Sequence, residues 1–199
     1  MPNKFTSFLL AAIFGLTLTS GMAEPAQATT ATYDFDAKTP GTTTPFPAID
    51  NGITAVFSSP ADPGGLVIIP VPGILTTLSG NVLARLSGRD PLNISFSQPI
   101  QQITLLFALA TLDPTATLNL LTNVGGSASA SGTIINLSEG TLTFSGAPFS
   151  IVELNSAIST FVLDQITVQT AAIPEPGALL LLLTGLLALV LMRRATSAA

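Results

Sequence analysis

The 199-residue chain has no cysteine, no histidine and no tryptophan, and only 9% of it is charged. Each absence excludes a chemistry. Without His there is no imidazole base, so Ser-His-Asp and Cys-His nucleophile systems are out. Without Cys there is no thiol nucleophile, no disulfide and no Cys-based zinc or iron–sulfur site. Positive charge is also scarce: the net charge is −5 and the pI about 4.3. A nucleic-acid partner would need a basic stripe, and none is present. Tyr33 is the single tyrosine beside eleven phenylalanines, which leaves few rings for stacking on a ligand.

Apolar residues are plentiful, at 47% of the chain with a mean hydropathy of +0.62. Two end segments carry much of that excess. Residues 1–28 read as a secretory signal peptide. Lys4 is the short basic region, and Phe8 to Leu18 is an apolar run too short to span a bilayer as a helix. The small residues Ala26 and Ala28 mark the expected signal peptidase cut, with Gly21-Met22-Ala23 as a second candidate. Gly21 and Pro25 argue against an uncleaved anchor.

The other end reads Pro174-Glu175-Pro176-Gly177, an apolar run to Met192, then Arg193-Arg194. This is a breaker, a helix and a basic stop. Residues 177–192 would span about 24 Å as a helix at 1.5 Å per residue, marginal against a hydrocarbon core of about 30 Å. The arginines should stay cytoplasmic, which places the body outside the inner membrane.

This tail, 174–194, resembles the PEP-CTERM sorting signal, the tag of exosortase substrates in Gram-negative-type bacteria. The matching residues are Pro174, Glu175, Pro176, the helix up to Met192, and Arg193 with Arg194. They cover about a tenth of the chain. The resemblance implies transient anchoring in the inner membrane, recognition and release by exosortase, and delivery to the cell surface or an exopolysaccharide matrix. The five residues after Arg194 are slightly long for the pattern.

Between the ends lies a body at 29–173. Its three cations, Lys38, Arg85 and Arg89, face nine carboxylates, a net −6. Alternating patterns dominate: Ile53–Phe57, Leu92–Phe96, Ile103–Leu109, Thr117–Leu121, Thr141–Phe144 and Phe161–Val168. Turn chemistry separates them, as at Asp50-Asn51-Gly52 and Asp62-Pro63-Gly64-Gly65. No segment of the body has a helical period. The expectation is an all-β, antiparallel, jelly-roll-like β-sandwich of about 9–11 strands, flanked by a signal-peptide helix and a transmembrane sorting helix. Within it, Ser97-Gln98-Pro99 is expected to turn the chain between two strands. Residues 39–48, 58–65 and the low-complexity stretch 125–132 are expected to be solvent loops. The body resembles, weakly, the β-sandwich bodies attached to PEP-CTERM tails.

Three classes of function follow. A non-catalytic structural or interaction protein of the envelope or matrix requires no catalytic constellation, and none is seen. A carbohydrate-binding module is the alternative on the same architecture, with exopolysaccharide as partner. An enzyme would have to be a carboxylate-pair glycosidase, and Asp34 with Asp36, or Glu139 with Glu153, are the pairs available. The reading is of a protein that is not an enzyme and requires no cofactor. One metal site is expected as an option. Asp34 and Asp36 lie in the first strand pattern, and Asp164 interrupts the last one among apolar neighbours, where a carboxylate is costly unless exposed or paired. These three residues are similar to the early acidic pair and late Asp with which jelly-roll sugar-binding modules hold a structural calcium, and the remaining oxygens would come from carbonyls or amides. Asn93 and Asn136 match the N-glycosylation pattern and are discounted for a bacterial chain.

Overall fold

A computed structural model describes residues 27–71, 73, 75–85, 90–111, 113, 115–135, 137–156, 160–172 and 184–186. The chain divides into two units, Ala28–Ala171 and the two end segments. The expected signal segment up to Ala26, the Pro174-Glu175-Pro176 motif, most of the sorting helix, and Arg193 and Arg194 lie outside the described residues. Ala28 is exposed, and 184–186 are helical. Among the described residues no helix is long and apolar enough to cross a membrane.

The body is all-β. Its strands are β1 (Thr30–Asp34), β2 (Phe46–Asp50), β3 (Ile53–Ser58), β4 (Leu66–Pro70), β5 (Asn81–Arg85), β6 (Leu92–Leu109), β7 (Leu118–Thr122), β8 (Ser127–Ala130), β9 (Thr133–Ile135), β10 (Leu137–Asn155) and β11 (Phe161–Thr170). Every strand pairing is antiparallel. Period-2 sequence makes these strands half-buried: β3 alternates Ile53, Ala55 and Phe57 inward with Thr54, Val56 and Ser58 outward.

Two long strands organise the fold, because each serves both layers. Leu92–Phe96 at the start of β6 pairs with β3 and with Ile151–Leu154 of β10. Ile100–Leu109 of the same strand pairs with β11 and with the first half of β10. One layer is therefore β2-β3-β6-β10-β7-β8. The other is β9-β10-β6-β11, with β5-β4 and β1 along the far side of β11. The layers meet across one core. Tyr33 of β1 packs against Phe57 of β3 and Phe96 of β6, with ring centroids 6.3 and 6.4 Å apart. Its hydroxyl donates to the Ile53 carbonyl at 3.0 Å.

Three expectations are corrected. The segment 39–48 is not all solvent loop, because Phe46, buried in the core, begins strand β2. Ser97-Gln98-Pro99 does not turn the chain back. Leu92–Leu109 is one continuous strand, and the register on β10 shifts around residues 145–151 opposite this stretch. Pro99 has no N–H to place in a ladder, so it suits the point where β6 passes from one layer to the other. The stretch 125–132 is not simply a flexible loop, because Ser127–Ala130 is strand β8, paired with β7. Ala128 and Ala130 pack against the core while Ser127 and Ser129 face solvent. Small side chains hid an alternation that a larger pair would have displayed.

The outer faces of the two layers differ. Leu75 and Leu78 of the β4–β5 loop pack over Val82 and Ala108, covering the outside of the β6–β11 layer. On the outside of the β3-β6-β10-β7-β8 layer Val56, Leu121 and Ile151 are exposed.

Candidate ligand-binding face

This outer face is built by strand register. Asn155 of β10 lies opposite Asn119 of β7, which lies opposite Ser129 of β8. In the next row Asn93 of β6, Glu153 of β10, Leu121 of β7 and Ser127 of β8 are successive neighbours. Ile151 follows on β10. Each of these alternates with a core residue on its own strand, such as Ile94, Val152, Leu154 and Leu120, so core packing dictates that they face outward.

The polar groups bond to one another in a fixed direction. Thr117 Oγ1 donates to Asn119 Oδ1 at 3.3 Å, Asn119 Nδ2 to Asn155 Oδ1 at 3.4 Å, and Asn155 Nδ2 to Glu153 Oε1 at 3.3 Å. A shallow groove of about 460 Å³ runs over β7, β8 and Asn155. A second hollow of about 160 Å³, lined by Asn93, Leu121, Asn123, Ile151 and Glu153 among others, adjoins it at Leu121. Leu121 and Ile151 are 45% and 41% exposed. Asn93 Oδ1 is buried and has no hydrogen-bond partner within the protein.

Of the carboxylates singled out in the sequence, Glu153 lies on this face, whereas Glu139, Asp164 and Asp36 accept hydrogen bonds elsewhere. Glu139 accepts from the N–H and hydroxyl of Thr76 (both 2.8 Å) and of Thr77 (both 3.0 Å). Burial pushes the Glu139 carboxyl up, but these four donors outweigh it and hold it at about 2. Asp164 Oδ2 accepts from the Ser79 N–H at 3.1 Å, and Asp36 Oδ1 from the Asn81 N–H at 2.7 Å. The β4–β5 loop is thus clamped by three carboxylates from three parts of the chain. Gly80, at φ +66°, sits between the last two contacts, and a Cβ there would strike the Asp36 carboxylate.

Asp34, Asp36 and Asp164 do come within one another's electrostatic reach. Burial raises the Asp164 carboxyl, the Ser79 amide lowers it, and the charges of Asp36 and Asp34 raise it further. Among the described residues, however, no three acidic side chains are grouped so as to hold a metal ion. The backbone amides of residues 79 and 81 each bond one oxygen of Asp164 and Asp36, respectively. Asp164 occupies an irregularity in β11, where the register on β6 shifts between Leu163 and Ile166. Glu139 and Glu153 stand fourteen residues apart on β10, in different layers, whereas a glycosidase pair needs separations of roughly 5–9.5 Å. Asn93 lies within β6, and Asn136 is outside the described residues. The groove amides Asn119 and Asn155 were not singled out in the sequence. Their signal was the polar position in the alternation of LNLL and VELN, which marks any solvent face.

No family model matches the chain, and no curated protein matches it. Among solved structures, the chain is similar to the K1 cleaved adhesin domain of Lys-gingipain from Porphyromonas gingivalis W83, at 11% identity and a TM-score of 0.41, over 71% of this chain and 98% of that one. It is similar to the K2 cleaved adhesin domain of Lys-gingipain at 14% identity and 0.34, over 75% and 94%. It is also similar to a family two carbohydrate esterase from Cellvibrio japonicus at 10% identity and 0.34, over 75% of this chain and 36% of the esterase.

Proposed function

We propose that this is an exported bacterial protein, sorted by exosortase through a PEP-CTERM tail to the cell surface or exopolysaccharide matrix, where its body binds rather than catalyses. The observation that carries the reading is the order and spacing of Pro174-Glu175-Pro176, the apolar run and Arg193-Arg194. The layout of the body supports it. Thr29 and Thr170 bond to each other, with the Thr170 N–H on the Thr29 carbonyl at 2.9 Å and the Thr29 N–H on Thr170 Oγ1 at 2.9 Å. The strands among the described residues run from Thr30 to Thr170, between the expected signal cut and the tail motif, so processing at both would spare the ladder. The jelly-roll-like reading belongs here too, supported by first and last strands that are neighbours and by β6 and β10 serving both layers.

Replacing Pro174, Glu175 and Pro176 with Ala is expected to leave uncleaved protein in the inner membrane, read by fractionation and immunoblot. Normal release of that variant overturns the sorting reading. A carbohydrate-binding module is the second reading, favoured by the amide-lined groove on the outer sheet face.

A further inference from the structure

We propose that the groove crossing β8, β7, β10 and β6 binds a neutral, hydroxyl-rich polysaccharide through Asn119, Asn155, Glu153 and Asn93. The donors and acceptors define the ligand. A side-chain amide has two N–H donors and a carbonyl with two lone pairs. In the chain Thr117–Asn119–Asn155–Glu153 each asparagine spends one N–H and one acceptor position on its neighbours. Each keeps one of both kinds, already oriented. Glu153 and the unpartnered Asn93 Oδ1 add acceptors. Sites that mix donors and acceptors at short intervals suit hydroxyl groups, because a hydroxyl is both at once. The exposed aliphatic surfaces of Leu121 and Ile151 supply contacts for the C–H faces of sugar rings.

Charge narrows the class. Among the described residues Glu153 is the only charged side chain lining the groove, and its carboxylate repels an anionic sugar. The same argument disfavours a second copy of this chain, whose body carries −6. The lining side chains come from four neighbouring strands, so the groove runs across the strands. Three strand spacings of about 4.8 Å give a span of about 14 Å, enough for a short run of sugars.

This inference deepens the binding reading and does not depend on the sorting reading. The test uses protein from the full-length gene, purified in mild detergent if it remains in the membrane. Native gels cast with dextran, mixed-linkage β-glucan or galactomannan measure retardation, with alginate as the polyanionic comparison. At least one neutral polymer is expected to retard the protein, and alginate to do so far less. Asn119→Ala with Asn155→Ala should weaken binding at least tenfold. Leu121→Asp should do the same by adding charge at an exposed position, which keeps the test valid if the double variant melts early. Val56→Ser, on the same face outside the groove, should bind normally. Glu153→Gln should relax the exclusion of alginate. The proposal fails if no neutral polymer retards the protein, if alginate binds best, or if both groove variants bind normally. Self-association lost in the groove variants, without polysaccharide binding, would assign the face to a second copy instead.

Discussion

At the residue scale, a chain poor in charge has put several of its carboxylates to structural use. Glu139 is held at about 2, below the ordinary Glu value of about 4.3. A depressed folded value means that its stabilisation is fully present above about 4.3 and is lost as pH falls toward about 2. Glu139→Gln should cost about 2 kcal/mol at pH 7, the scale of charged hydrogen bonds, and should flatten the acid limb of a melting-temperature profile. Asp164 has the opposite sign. Its folded value is raised, first by burial, so its favourable contribution exists below the ordinary Asp value of about 3.9 and disappears as pH rises through the folded value. Asp164→Asn keeps an acceptor for the Ser79 amide and removes the charge. Its midpoint should exceed wild type at pH 7 by roughly 2–4 °C, what about 1 kcal/mol gives in a domain of this size, with the difference vanishing at low pH. Arg85 is a third case. It is 3% exposed, its guanidinium nitrogens Nη1 and Nη2 have no hydrogen-bond partner, and it stacks 4.8 Å from the Phe161 ring centre. Burial lowers its affinity for the proton while Asp90 opposes that. Arg85→Met keeps the contact with Phe161 and removes the buried charge. A gain of about 1–3 kcal/mol by denaturant titration is expected.

At the scale of elements, the two layers are tied by what passes between them. Strands β6 and β10 do this covalently, and β1 does it through Tyr33. The Tyr33 hydroxyl is pushed up to about 12 by burial and by the charge of Asp50, so it stays protonated and donates to the Ile53 carbonyl. Tyr33→Phe keeps the ring contacts but removes that hydrogen bond, and a loss of about 1 kcal/mol is expected in chemical denaturation. The aromatic cluster of Phe35, Phe46 and Phe57, with centroids 5.2–6.3 Å apart, packs at the same junction. Wild-type absorbance at 295 nm should show no phenolate up to pH 11. A titration near 10 would mean that Tyr33 is not buried between the layers.

At the scale of the molecule, β1 (Thr30–Asp34) pairs along its length with Gln165–Gln169 of β11. A fold closed by its own first and last strands needs neither end segment for its ladder. Residues 28–171 expressed alone should therefore give a β-type far-ultraviolet spectrum and one cooperative melt. Reductant should leave the midpoint unchanged, since the chain holds no thiol. A helical spectrum, or no transition, would show that the ends belong to the folded body.

By itself the sequence determined which chemistries are absent and that the body is made of short-period strands. Those are local properties, because a period of two assigns a face within a segment. It does not assign a neighbour. Only the tertiary structure decided that Leu92–Leu109 is one strand shared by two layers, that the Gly/Ser/Ala stretch 125–132 contains a strand, and that Glu139, Asp164 and Asp36 clamp a loop 45 to 85 residues away in the chain. The groove is of the same kind. Asn93, Asn119, Ser129 and Asn155 come from four strands, and each reads alone as an ordinary solvent-facing polar residue. Register across β6, β10, β7 and β8 brings them side by side, and that register is set by apolar partners on the opposite face, packing in a core the linear sequence does not display.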